Sequence, residues 1–134
     1  MKYILDTNIV SYLMRGSYPS LAAKIVTYHP SDIAISSITL FEMQYRAEKK
    51  HWGDALRNRM WQFLSPFVIL PFDASDAISA GNIRAYLTNH GQPIGWYDVM
   101  IAAQGIARNM VVVTHNTREF ERIPGIKLED WAEE

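Results

Sequence analysis

The chain has 134 residues, 49% hydrophobic and 20% charged, with no cysteine and a formal net charge of -1. This length suits one domain with its own core, the missing cysteines exclude disulfides and thiolate chemistry, and the balanced charge argues against gripping duplex nucleic acid by bulk electrostatics. Asp6 interrupts the apolar run a signal peptide would need, and no apolar stretch approaches the ~20 residues that span a bilayer, so a soluble cytoplasmic protein is expected.

Tyr3-Ile4-Leu5 reads as a buried strand that delivers Asp6, Thr7 and Asn8 to its C-terminal end. Ile9, Val10, Leu13 and Met14 recur at helical spacing, with Asn8 as the expected cap and Gly16 as the stop. Leu21 to Tyr28 follows as a short helix ended near Pro30, and Asp32 to Ser37 has the β-branched, apolar character of a second strand. Thr39 and Glu42 stand at capping-box spacing, which predicts a helix through about Lys50. Ala55 to Leu64 gives another amphipathic helix, Phe67 to Leu70 a third strand, and Asp73 caps a long helix reaching His90. After the loop at Gly91 to Gly95, Trp96-Tyr97-Asp98 opens a helix to Asn109. Val111-Val112-Val113 is a buried strand, Asn116 and Glu119 open a short helix, and Ile126 to Leu128 suits a last strand before the acidic tail Glu129 to Glu134. Helices alternating with short continuous apolar strands predict an α/β sandwich, a mostly parallel sheet flanked by helices, as a single domain over residues 1–134.

Four acids stand at equivalent addresses in that pattern: Asp6 after the first strand, Glu42 after the second, Asp98 in a first helical turn, and Glu119 after the Val111 strand, near Asn116. Acids in first helical turns are also favoured by the helix dipole and by capping boxes, so Glu42, Asp98 and Glu119 have a bland explanation. Asp6 does not. A carboxylate at the end of an apolar strand needs a cationic partner, and no Lys or Arg lies within the next eight residues. If the acids share one sheet edge, a hard cation such as Mg²⁺ or Mn²⁺ is the natural neutraliser, and such sites act on phosphodiesters.

Leu5-Asp6-Thr7-Asn8, Ser36-Ser37-Ile38-Thr39 leading to Glu42, Tyr97-Asp98 with Ile101-Ala102-Ala103, and Val113 through Phe120 occur in this order. Together they resemble a PIN-domain ribonuclease, and within that superfamily the VapC toxins of type II toxin-antitoxin modules. The resemblance implies a Mg²⁺- or Mn²⁺-dependent endoribonuclease that cuts structured RNA, tRNA first among candidates. It further implies a homodimer held in check by a VapB-like antitoxin. By the same resemblance Asp6, Glu42 and Asp98 match the family's metal-site acids, with Asp6 and Asp98 the expected ligands. The chain departs from the simplest pattern at the fourth acid, where Asn116 stands and Glu119 follows one turn later. Thr7, Asn8, Thr114 and Asn116 are suited to holding the carboxylates in place.

The four histidines are dispersed, which excludes helix-face zinc spacing, and no nucleotide-cradling glycine motif occurs. Arg46, Lys49, Lys50, Arg57 and Arg59 make a local basic surplus that reads either as a solvated helix face or as a backbone-contacting patch. The stripe Trp52, Leu56, Met60, Phe63 reads as core or, where exposed, as a partner's dock. Two other functions fit parts of the pattern: a phosphatase using Asp6 as nucleophile, weakened by Asn8 where a second acid is needed, and a non-catalytic α/β interaction module whose acids are only caps.

Overall fold

Successive residues of a strand face opposite sides, so a strand whose every residue is buried must be covered on both faces. Ile4 and Leu5 are both fully buried, as are Ile33, Ala34 and Ile35 and also Val112 and Val113. The computed structural model describes residues 1–132, and Glu133 and Glu134 of the acidic tail lie outside the described residues. Five strands, β1 (Tyr3–Leu5), β2 (Ile33–Ser36), β3 (Val68–Leu70), β4 (Val111–Val113) and β5 (Leu128–Glu129), form one sheet in the order β3-β2-β1-β4-β5. All pairings are parallel, with Leu5 opposite Ile35 on one side and Val113 on the other. The mostly parallel α/β sandwich expected from the sequence is the fold observed.

Helices cover both faces. Beneath α1 (Thr7–Arg15), α2 (Pro19–Ile25), α3 (Ser37–Lys49) and α4 (Asp54–Leu64) lies an apolar cluster built on Leu5, Ile33, Ile35 and Val113. The other face packs Ile4, Ala34 and Val112 against α5 (Ala74–Asn89), α6 (Trp96–Ala107) and Phe120 of α7 (Thr117–Phe120). Met60 is fully buried and Trp52, Leu56 and Phe63 pack beside it, so the stripe belongs to the core. Helix α6 lies directly on the sheet at Gly105, where a Cβ would stand 2.7 Å from Val112 Cγ2 and 3.2 Å from Ile4 Cγ2. Two helical turns before that contact, α6 begins with the residues that include Asp98.

The sheet order reverses at β1. From β1 the chain steps outward through β2 to β3, then returns to the other side for β4 and β5. In open parallel sheets the crevice at such a switch point, beyond the strand C-termini, is where ligands bind. Asp6 and Thr114 follow β1 and β4 at that crevice.

Several boundaries differ from the sequence reading. The second helix ends at Ile25 rather than Tyr28, and the last strand is Leu128–Glu129 rather than Ile126 to Leu128. The expected caps also change hands. Asp6, not Asn8, caps α1 by accepting from the Ile9 N–H, and Ser36, not Thr39, caps α3 by accepting from Ile38. Asp73 caps α5 as expected, within a reciprocal box completed by Asp76. No helix of the described residues is long and apolar enough to cross a membrane.

Candidate active site

Asp6 is only 2% exposed, yet no Lys or Arg pairs with it among the described residues. Each of its oxygens is held by a donor: the Ile9 backbone N–H reaches Oδ1 at 2.8 Å and the Thr114 hydroxyl reaches Oδ2 at 2.6 Å. The Asp6 backbone N–H donates to Val113 at 3.0 Å, so the carboxylate leaves a backbone still paired to β4. Thr114 is itself fixed, because its hydroxyl oxygen accepts from the Asn116 backbone N–H at 3.0 Å. Burial pushes the Asp6 carboxyl up to about 6; the Thr114 and Ile9 hydrogen bonds oppose the rise, and the charges of Glu42 and Asp130 add to it.

Glu42 is anchored from the opposite side. Thr7 donates its hydroxyl to Glu42 Oε1 at 2.7 Å and lies 3.0 Å from the Thr39 hydroxyl. Since the Thr7 proton goes to the carboxylate, Thr39 supplies the proton between the two hydroxyls. The Thr39 and Glu42 spacing therefore serves a relay across the α1–α3 contact instead of the expected capping box. One free carboxylate oxygen remains on Glu42.

Asp98 sits half-buried in the first turn of α6. Its carboxyl is pushed up to about 7, first by burial and then by the negative charges of Asp6, Glu42 and Glu119. No hydrogen bond counters the rise. Gly95 makes room for this side chain, because a Cβ there would stand 3.3 Å from Asp98 Oδ2. Glu119, the fourth acid, accepts from the Asn116 side-chain amide at 2.7 Å. Asn116 thus steadies two acids at once, Glu119 through its amide and Asp6 through its N–H to Thr114.

The structure gathers Asp6, Glu42 and Glu119 close enough for their charges to act on Asp98, with Thr7, Thr114 and Asn116 as hydrogen-bond supports of Glu42, Asp6 and Glu119. Asn8 is exposed and makes no side-chain contact to an acid among the described residues. Two contributors escaped the sequence reading. Asp130 adds its charge to the field at Asp6 while accepting from His115 at 2.9 Å, but from sequence it is one of several tail acids. Gly95 read as a loop residue, and only the contact with Asp98 reveals its use.

A hard divalent cation fits these residues. The donors are all oxygen, Asp6 and Asp98 are driven toward protonation first by burial and then by neighbouring acids, and among the described residues no basic side chain pairs with Asp6. Among the described residues no three acids or imidazoles are gathered tightly enough to form a finished cage. An ion here would draw on water for much of its coordination, as Mg²⁺ ordinarily does.

Comparison with known proteins identifies the family. The PIN domain family matches residues 3–126. The tRNA(fMet)-specific endonuclease VapC of Salmonella typhimurium is 42% identical over 132 residues, covering 98% of this chain and 99% of that protein. The protein of the same name from Shigella flexneri is 37% identical with the same coverage. Among solved structures, VapBC2 from Rickettsia felis bound to a promoter DNA fragment contains a chain that superposes with a TM-score of 0.89 at 35% identity, covering 98% of this chain and 99% of that one. DNA-bound VapBC from Salmonella typhimurium superposes at 0.86 with 41% identity and 98% of each chain covered. The chain belongs to the PIN-domain family and, within it, to the VapC ribonucleases.

Proposed function

We propose that Asp6, Glu42, Asp98 and Glu119 form the catalytic centre of an endoribonuclease that hydrolyses a phosphodiester bond of tRNA(fMet), and that the chain is the toxin of a toxin-antitoxin pair. The observation that carries this reading is the convergence of Asp6, Glu42 and Glu119 on Asp98 at the switch point of the sheet, with Asp6 buried and paired to no cation among the described residues. The identity of 42% to a tRNA(fMet)-specific endonuclease along nearly the whole chain supports the substrate.

Asp6 and Asp98 would hold Mg²⁺ or Mn²⁺, which when bound acidifies a coordinated water and stabilises charge on the phosphodiester oxygens. Thr114 and the Ile9 N–H fix the Asp6 carboxylate through one donor on each oxygen, and the lone pairs left on those oxygens would serve the ion. Glu42, turned by Thr7, has one oxygen free to take the proton of the attacking water. Glu119, steadied by Asn116, adds negative charge beside Asp98 that a bound cation would offset. Gly95 lets Asp98 fold back against the start of α6.

The solved relatives are VapBC complexes, which supports a VapB-like antitoxin as partner. Homodimerisation and a cytoplasmic location, where tRNA is met, complete the reading. The test is cleavage of purified tRNA(fMet) by purified protein with and without Mg²⁺. Cleavage that yields a 5′-phosphate and requires the ion is expected; an inert protein under every metal condition would reject the reading.

A further inference from the structure

The basic residues between Arg46 and Arg59 divide into two groups in the folded chain. Arg57 serves the fold: it pairs with Glu48 at 2.6 Å and donates to the carbonyls of Trp52 at 2.8 Å and Ala47 at 3.2 Å, tying α3 to α4. Lys49 lies over the Tyr45 ring, 5.5 Å from its centroid. Arg46, Lys50 and Arg59 instead gather with Arg15 of α1 around a groove of about 420 Å³. None of these four cations has an ion-pair partner among the described residues. Arg15 is preset by its position over Tyr12, 5.5 Å from the ring centroid.

This groove adjoins the acidic centre at Arg46. It starts at Asn8, two residues beyond Asp6, and it shares Arg46 with the adjoining cavity that contains Glu42. Arg46 and Glu42 are one turn apart on α3, so an acid facing the reaction and a cation facing the groove alternate along one helix. A polyanion is repelled by four carboxylates and needs compensating positive charge close by to approach them. The chain's net charge of -1 hides such a local surplus.

We infer that this groove carries the phosphate backbone of the RNA strand beside the bond to be cut, with Arg15, Arg46, Lys50 and Arg59 as positioning residues. The inference rests on the ribonuclease reading and names how the substrate is held. RNA is favoured over an acidic peptide because Arg46 lines both this groove and the cavity that Glu42 lines, which sets the cations next to an acid of the reacting centre. Trp52, half-buried in the wall, adds an aromatic surface of the kind on which unpaired bases stack.

The experiment uses the whole protein with Arg15, Lys50 and Arg59 replaced together by Ala. It reads kcat and KM for tRNA cleavage, and, in an Asp98→Asn background, tRNA affinity across a salt series. Each lost phosphate contact lowers the slope of log affinity against log salt by about 0.7–0.9, so the triple variant should lose about 2–3 in slope and more than tenfold in affinity near 0.1 M salt. KM should rise accordingly while kcat changes less than twofold. Lys49→Ala, on the same helix but turned to Tyr45, should leave the slope as it is. The variant's melting temperature checks its fold, and Arg59→Lys, keeping the charge, should retain the slope in either case.

Wild-type cleavage with unchanged affinity and slope in the triple variant would overturn the groove and leave the ribonuclease reading standing. Unchanged RNA affinity with lost binding of an antitoxin peptide would assign the groove to a protein partner, which also overturns it. Wild-type protein that neither binds nor cuts RNA would overturn both.

Discussion

Thr114 donates its hydroxyl to Asp6 Oδ2 at 2.6 Å, joining residues 108 positions apart at the adjacent ends of β4 and β1. This bond sets the direction of a carboxylate that has no cationic partner among the described residues, and it transmits the position of Asn116, whose N–H holds the Thr114 oxygen. Removing the hydroxyl while keeping the shape isolates that effect. Thr114→Val should cost about 1–3 kcal/mol of stability by stripping a buried acceptor of its donor. It should also weaken metal-dependent cleavage about 10- to 100-fold, the usual scale for supports of a metal ligand. Urea unfolding and a Mn²⁺ titration of the cleavage rate check the two parts separately.

Replacing an acid by its amide removes charge at nearly constant shape. Asp6→Asn and Asp98→Asn should each lower cleavage at least about a hundredfold, the scale of removing one charge-stabilising group. Asp98→Asn should melt at or above the temperature of the metal-free parent, because it removes a charge disfavoured first by burial and then by the neighbouring acids. Asp6→Asn gains the same relief but gives up one of the two oxygens that accept from Ile9 and Thr114, so it should melt lower than Asp98→Asn. A variant that retains the parent's rate would remove that acid from the site. Melting curves recorded in EDTA complete the check.

The same burial and repulsion give a pH dependence with a definite sign. Asp6 and Asp98 bind protons more tightly folded, at about 6 and about 7, than at the ordinary value of 3.8. Between those values the folded chain holds more protons than the unfolded one, so stability falls as pH rises. In EDTA, the contribution of these two groups should make the protein more stable at pH 5 than at pH 8, by about 1.4 kcal/mol for Asp6, whose folded value of about 6 lies about one unit above pH 5. Adding Mg²⁺ at pH 8 should restore much of the loss, and the gain should shrink as pH drops toward 5, where protons compete for the same oxygens. Calorimetry at four pH values with and without the ion checks the sign.

Two glycines separate fold from site. At Gly105 an added Cβ would meet Val112 and Ile4 on the sheet, so Gly105→Ala should destabilise by about 1–3 kcal/mol through overpacking. At Gly95 the added atom meets only the movable Asp98 carboxylate at 3.3 Å. Gly95→Ala should therefore leave the melting temperature nearly unchanged and reduce kcat by displacing Asp98. Parallel melting and cleavage measurements on the two variants distinguish these outcomes.

Much of this arrangement was legible in the sequence because it depends on local pattern. The runs Tyr3-Ile4-Leu5 and Val111-Val112-Val113 are apolar on both faces, which fits only strands covered on both sides. Asp6 stood out because a strand-end acid with no nearby cation is costly wherever the chain folds. What the sequence concealed depends on partners far along the chain. Thr39 and Glu42 have the spacing of a cap, but Ser36, three residues earlier, is an equally good cap and takes the helix start. That frees Thr39 and Glu42 to meet Thr7, 32 and 35 positions away. Asn8 lost the α1 cap for a similar reason: Asp6 is where the strand ends, so its carboxylate reaches the Ile9 N–H first. The basic stretch could not be read from spacing because Arg57 and Arg59 look alike in sequence, and only the Glu48 contact sets them apart.

The most direct single measurement is the rate at which purified protein cuts tRNA(fMet) in Mg²⁺, in EDTA, and as Asp98→Asn in Mg²⁺. Cleavage confined to the first condition is the predicted result. Equal cleavage in EDTA, or an undiminished rate in the variant, would contradict a metal-dependent centre built on these four acids.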